Sequence, residues 1–172
     1  AAYNKDEEDN LVLRGTHVRK NIGTINNSGI RVWIGDMVLY RLSWVYLTLA
    51  EIANMENDNA KVEEYINLVR ERAYGENWAP EFEFEAGDFT TNELAILAEK
   101  DKEFVQEGQR WWDLRRMTLT KGGKPLVFTQ QASFNGVPIL NESTEAHKVL
   151  WPLDRGLLDN DDALEQTPDY ES

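Results

Sequence analysis

DMVLYRLSWVYLTLAEIAN, residues Asp36–Asn54, is followed after the turn Glu56-Asn57-Asp58-Asn59 by AKVEEYINLVRERA, residues Ala60–Ala73. In the first stretch Val38, Leu42, Val45, Tyr46, Leu49, Ile52 and Ala53 recur at i, i+4, i+7 and i+8, the spacing of a helix stripe facing a core. Met37, Leu39, Trp44 and Leu47 fall outside that stripe, so the helix is apolar on several sides and is expected to lie between neighbours. Asp36 is placed to cap it, its carboxylate accepting from free N–H groups of the first turn. The second stretch gathers Val62, Tyr65, Ile66, Val69 and Ala73 on one face, with Glu63, Glu64, Arg70, Glu71 and Arg72 supplying charge. Two helices joined by about four residues pack antiparallel, which predicts an αα-hairpin.

The order Leu47-Thr48-Leu49-Ala50-Glu51, a short Asn-rich turn, then Ala60 and Tyr65-Ile66 resembles one tetratricopeptide-like unit. Such units need about three copies to bury a continuous core. One alone predicts an apolar surface on the isolated chain, or stabilisation by self-association.

Outward from the hairpin, residues 74–88 read as a loop rich in aromatic and acidic residues, with Tyr74, Trp78, Phe82 and Phe84 among Glu76, Glu81, Glu83 and Glu85. A third helix is expected from Thr90 or Thr91, where Thr90-Thr91-Asn92-Glu93 has capping-box form. It runs through Leu94, Leu97, Ala98, Phe104 and Val105 to Met117. Gly108 interrupts it at a cost of about 1 kcal/mol against Ala, which implies a packing reason such as close approach of another backbone. Before the hairpin, Leu11–Leu13 and His17–Lys20 suit short strands, and Asn26-Asn27-Ser28-Gly29 signals a turn. After Lys121-Gly122-Gly123 the pattern is irregular. Asn135-Gly136 is a hairpin-type turn, and a short helix is expected near Arg155–Asp159. The chain therefore reads as mainly α: an irregular lead-in (1–35), a helical scaffold (36–117), and a loop-rich tail with short strands (118–172).

Composition limits what such a chain does. Its 172 residues fit one domain with a core, and 41% hydrophobic residues argue against disorder. A net charge of −13 repels phosphate backbones and anionic headgroups, disfavouring nucleic acid and direct electrostatic membrane binding. With no cysteine, disulfides, thiol nucleophiles and cysteine-ligated zinc are ruled out. His17 and His147 form no metal-ligand pattern. No apolar run approaches the ~20 residues of a membrane span, and no leader sequence is visible.

Glu99, Glu103 and Glu107 recur every four residues on one helix face. They read either as a carboxylate site for acid/base work or a divalent cation, or as a salt-bridged face served by Lys100, Lys102, Arg110, Arg115 and Arg116. The second reading has more weight, because helical carboxylates beside arginines pair with them. Asp101, among apolar positions, is expected at the stripe edge or paired with a buried arginine. Trp111 and Trp112 stand about 100° apart on a helix and cannot present one flat platform; both are expected in the core. Trp33 and Trp78, in predicted loops, suit either stacking on a sugar face or capping a helix. No serine elbow, phosphate-cradling loop or histidine-centred triad is present, and no catalytic residue or cofactor is assigned.

Four segments together resemble the C-terminal region of the SusD/RagB family: residues 36–43 with 46–51; residues 66–73; Glu107-Gly108-Gln109-Arg110-Trp111-Trp112-Asp113-Leu114-Arg115-Arg116; and Val149-Leu150-Trp151-Pro152-Leu153-Asp154 with Gln166-Thr167-Pro168-Asp169-Tyr170. Departures fall at Trp44, where an acidic residue is usual, at Lys100-Asp101, which replaces a basic pair, and at Tyr170, where a glycine is typical. The resemblance implies a SusD-like scaffold in which Glu51, Arg70, Glu99, Glu103, Glu107, Gly108, Arg110, Trp111, Trp112, Asp113, Arg115, Trp151 and Pro152 are structural. It also implies a non-enzymatic surface lipoprotein of the outer membrane that binds an oligo- or polysaccharide and passes it to a SusC-like TonB-dependent transporter. Membrane attachment would come only through a lipid anchor on an N-terminal part beyond this chain. Trp33, Tyr74 and Trp78 are the candidate ligand contacts. A tetratricopeptide-like protein-interaction module, and a carbohydrate-active enzyme, are the competing readings.

Overall fold

The structure is a computed structural model that describes residues 2–6, 10–15, 20, 23–34, 38–130 and 138–170. Two small antiparallel ribbons come first. β1 (Ala2–Lys5) pairs with β2 (Leu11–Gly15), and β3 (Thr24–Ile25) pairs with β4 (Arg31–Val32). The second ribbon turns at Asn26, whose Oδ1 accepts from the backbone N–H groups of Ser28 and Ile30, both at 3.0 Å, an Asx-type closure. The strand expected at 17–20 lies largely outside the described residues.

The helical hairpin follows. α1 (Leu42–Glu56) starts six residues after the expected cap, behind an extended Arg41 that makes no side-chain cap. Asp36 lies outside the described residues. α1 ends on Asn57 in the left-handed region at φ 59, a conformation Asn tolerates well. α2 (Asn59–Tyr74) is capped by Asp58, whose carboxylate accepts from Lys61 N–H at 3.2 Å. α3 (Phe89–Glu103) packs against both. Its cap is Asp88, accepting from Thr91 N–H at 2.7 Å, so the expected Thr90–Glu93 box does not form. Thr90 Oγ1 donates instead to Leu119 O, and Glu93 turns inward to Asn54.

Leu47, Ala50, Val62, Ile66, Ile96 and Leu97 meet in the space between the three helices and are essentially fully buried. Burying each of the larger side chains contributes about 1.5–3 kcal/mol. This corrects the expected α1 face. Leu42, Val45 and Ile52, placed in the core by their spacing, are 62%, 41% and 49% exposed. α1 is apolar on two faces, and the face bearing the small Ala50 and Ala53 turns inward, letting α2 and α3 approach closely. Ala73 and Ala98 are also exposed. Tyr46 and Tyr65 stack at the margin, 6.1 Å between ring centres.

The long third helix of the sequence reading breaks. α3 stops at Glu103, the chain passes through Gln106 at φ 63 and Gly108 at φ 76, and α4 (Arg110–Arg116) begins. A Cβ on Gly108 would meet nothing within 4 Å. Close approach is therefore not its reason; the left-handed turn is. In the tail, Leu126 and Val127 are buried beneath α4, tied by Leu126 N–H to Met117 O at 2.9 Å. Among the described residues, the expected short strands amount to a bridge between Thr118 and Pro125, with a further bridge position at Pro138. Asn135-Gly136 lies outside the described residues. α5 (Glu142–Glu145) and α6 (Arg155–Asn160) are short, the second close to its expected place.

Candidate functional site

Because Glu99, Lys100, Glu103 and Glu107 follow the core stripe of Ile96 and Leu97 around the end of α3, each meets a different depth of solvent. Lys100 lies inward, 2% exposed, between two carboxylates. Its Nζ donates to Glu51 on α1 and, at 2.9 Å, to Asp113 on α4. Arg116 closes the group from the surface, donating to Glu51 and, at 2.7 Å, to Asp113. Burial pushes the Lys100 ammonium down and the Asp113 carboxyl up, and their mutual attraction offsets part of each. Two turns earlier on α3, Glu93 accepts from Asn54 at 3.0 Å, and Asn92 donates to Asn54 at 3.1 Å. Burial raises the Glu93 carboxyl above its ordinary range.

The other carboxylates lie nearer the surface, Glu99 still buried and Glu103 and Glu107 partly exposed. Glu99 accepts from Arg70 (2.6 Å) and Lys102 (2.9 Å). Glu103 is bound by Arg41 and Arg72, and Glu107 by Arg41 and Lys20. Arg41 is itself braced over the Phe104 ring at 4.8 Å. Burial alone would raise Glu103 and Glu107. Arg41 and Ser43 at Glu103, and Arg41 and Lys20 at Glu107, outweigh it and hold both carboxyls below their ordinary range. All three glutamates are thus salt-bridged, which leaves none of them positioned as a solvent-facing acid/base pair. Among the described residues no group of three or more His, Asp or Glu forms a metal-binding cluster.

These ion pairs floor a basin of about 620 Å³, rimmed by Val38, Leu39, Gln106 and Gln109. A smaller cleft of about 210 Å³, lined by Arg70, Tyr74, Glu99, Lys102 and Glu103, adjoins it through the shared Lys102 and Glu103. Tyr74, the last residue of α2, stacks on Phe82 (4.2 Å, 7° between planes) and touches Trp78 at 6.0 Å. The loop beneath them is pinned to α2: Asn67 exchanges two hydrogen bonds with the Phe84 backbone, and Arg70 donates to Phe82 O at 2.8 Å. Tyr74 and Trp78 are therefore brought together on a firm base, with Trp78 folded back, half-buried, against the end of α2. Trp33 is placed apart, 68% exposed beyond β4, with no ring contact to them among the described residues.

Around α4 the motif residues separate. Trp111 packs on the core, while Trp112 is 56% exposed beneath the Arg115 guanidinium at 5.2 Å. The core position expected for both tryptophans holds for one. A short helix backed by the buried Asp113 and Leu114 can turn only one of two adjacent rings inward. Arg110 pairs with Asp101, both at the surface, so Asp101 meets a solvent-exposed arginine. Trp151 and Pro152 form a shelf with Trp111, Leu140 and Tyr170; the Tyr170 hydroxyl donates to Leu150 O at 2.9 Å and its ring abuts His147.

The sequence model of the SusD family matches residues 5–170. The chain belongs to the SusD family. A crystal structure of a SusD superfamily protein from Bacteroides fragilis NCTC 9343 is similar at 65% sequence identity with a TM-score of 0.87. The match covers 98% of this chain and 36% of that one, so this SusD-family chain spans about a third of its solved relative's length. No curated protein matches. No helix among the described residues is long and apolar enough to cross a membrane.

Within this SusD-family scaffold the salt-bridged reading of Glu99, Glu103 and Glu107 holds, but of the expected cations only Lys102 serves them. Arg70, Arg41, Arg72 and Lys20 supply the rest, while Arg110 goes to Asp101 and Arg115 to the Trp112 ring. In the sequence Arg41 is visible only inside the segment 36–43, and Lys100 only as one charge among several. A signal for Lys100 was available: it lies four residues after Ile96 and three after Leu97, on the stripe itself. Trp44, a departure from the family pattern, meets Tyr40 edge-on at 5.0 Å.

Proposed function

We propose that this chain is the C-terminal scaffold of a non-catalytic, glycan- or nutrient-binding protein. In this reading a lipid anchor on a preceding segment holds it at the outer-membrane surface, and it delivers ligand to a SusC-like TonB-dependent transporter. Family membership over residues 5–170 carries the reading. The rigidly backed rings of Tyr74 and Trp78 support it, since aromatic faces stack on sugar C–H faces. Trp33, exposed on its ribbon, is the third proposed contact.

The competing interpretations have less support. A helix-docking module needs an open groove between α1 and α2, and α3 lies against both of them. A carbohydrate-active enzyme needs two free carboxylates flanking a cleft, whereas Glu99, Glu103 and Glu107 are all engaged by arginine or lysine.

The test is calorimetry and affinity electrophoresis of the full-length natural protein against a polysaccharide panel, with pull-down of the transporter. Retarded migration on at least one glycan and no released oligosaccharide is the expected result. Failure to bind any glycan, with no transporter recovered, overturns the proposal.

A further inference from the structure

Resting on that reading, we propose that the basin at the end of α3 selects acidic glycans, with Arg72 and Lys102 as the pair that reads a sugar carboxylate or sulfate. The chain as a whole carries −13, yet five cations and three carboxylates line the basin and the adjoining cleft. The surplus has a definite place. Arg41 and Lys20, both largely covered, already satisfy Glu103 and Glu107, and Arg70 satisfies Glu99. What remains is Arg72, 60% exposed at its side chain, and Lys102, 68% exposed. Each spends one contact on a carboxylate that has another cation, and their remaining N–H groups face solvent.

The rest of the basin suits a sugar rather than a small anion. Its 620 Å³ holds more than one ring. The Gln106 and Gln109 amides can donate to and accept from hydroxyls. Val38 and Leu39, 57% and 68% exposed, give an apolar wall for a ring face. Lys102 also lines the cleft beside Tyr74. An oligosaccharide can therefore stack one residue on Tyr74 and present the charged group of the next to Arg72 and Lys102. Arg72 offers the planar fork that matches carboxylate or sulfate, and Lys102 adds a point charge.

The experiment compares the full-length natural protein with its Arg72→Gln and Lys102→Gln variants by calorimetry. The ligands are a uronic-acid oligosaccharide, a sulfated one and a neutral one of equal length. Both side chains are exposed, so folding is checked by an unchanged Tm. Each substitution is expected to weaken acidic ligands about three- to tenfold and leave the neutral one unmoved, the loss shrinking in high salt. The uronate and sulfate arms identify which anion is preferred. Acidic binding that survives both substitutions, or binding of the neutral glycan alone, overturns the basin assignment and leaves the glycan-binding role standing. No binding in any arm overturns both.

Discussion

Two groups of charges gather around the C-terminal end of α3, one on Lys100 and one on Glu103 and Glu107, and they differ mainly in access to water. The inner group, Glu51, Lys100, Asp113 and Arg116, ties α1, α3 and α4 together, with three of its four members buried. The outer group, around Glu103 and Glu107, uses the same kinds of residue in a basin open to solvent. Buried charges fix one arrangement, because any alternative strands an ion in a medium of low polarity. Solvated charges remain available to exchange partners. Position around and just past the end of α3 separates a buried ionic lock from the partly solvated group that we propose as a recognition surface.

The largest expected effect tests the lock. Lys100→Met leaves Glu51 and Asp113 buried without their ammonium, with the half-exposed Arg116 as their remaining cation. A loss of about 3–5 kcal/mol is expected in urea unfolding. A loss below about 1 kcal/mol would show that Arg116 suffices and that the inner group is no lock.

A smaller contrast sharpens the comparison by sign. The Glu93 carboxyl is raised in the folded chain, so its contribution is complete below the ordinary carboxylate range and fades as pH rises through the folded value. The Glu107 carboxyl is lowered, so its contribution is complete above that range and is lost as pH falls through the folded value. Glu93→Gln is accordingly expected to stabilise at pH 7 and Glu107→Gln to destabilise, the two differences vanishing in acid. Thermal melts from pH 3 to 7 check this, and shifts of the same sign for both would contradict it.

The smallest effect belongs to the rim. Arg72→Gln is expected to change stability by no more than about 0.5 kcal/mol. A larger loss in the same melts would place Arg72 with the structural charges.

How far these distinctions were legible in the sequence follows from their physics. The hairpin, the short helix after Asp154 and the Glu99–Glu103 pair rest on local spacing, which sequence displays directly, whereas Glu107 lies past the end of α3 and is not on the expected helix face. The inward face of α1 does not. With apolar residues on both sides of that helix, the inward choice follows from the small Ala50 and Ala53 and from partners on α2 and on α3, the latter more than 30 residues away. The break after Glu103 depended on two left-handed positions, and Gln106 gives little warning of one. Lys100 was visible as an apolar-stripe position, but its role needed Glu51 and Asp113 to converge from other helices. Tyr74 and Trp78 were near enough in sequence to be paired, while Trp33 belongs to a ribbon whose relation to them no local pattern encodes.

The outward face of α1, with Leu42, Val45, Ile52 and Met55 between 41% and 62% exposed, bears on how separate copies meet in solution. At low ionic strength the −13 charge keeps copies apart. As salt shortens the screening length from about 30 Å at 0.01 M to about 3 Å at 1 M, that repulsion fades and the apolar attraction does not. Ionic strength thereby becomes a dial on the colloidal behaviour of this chain, set by a helix with two greasy sides and one neighbour-facing choice.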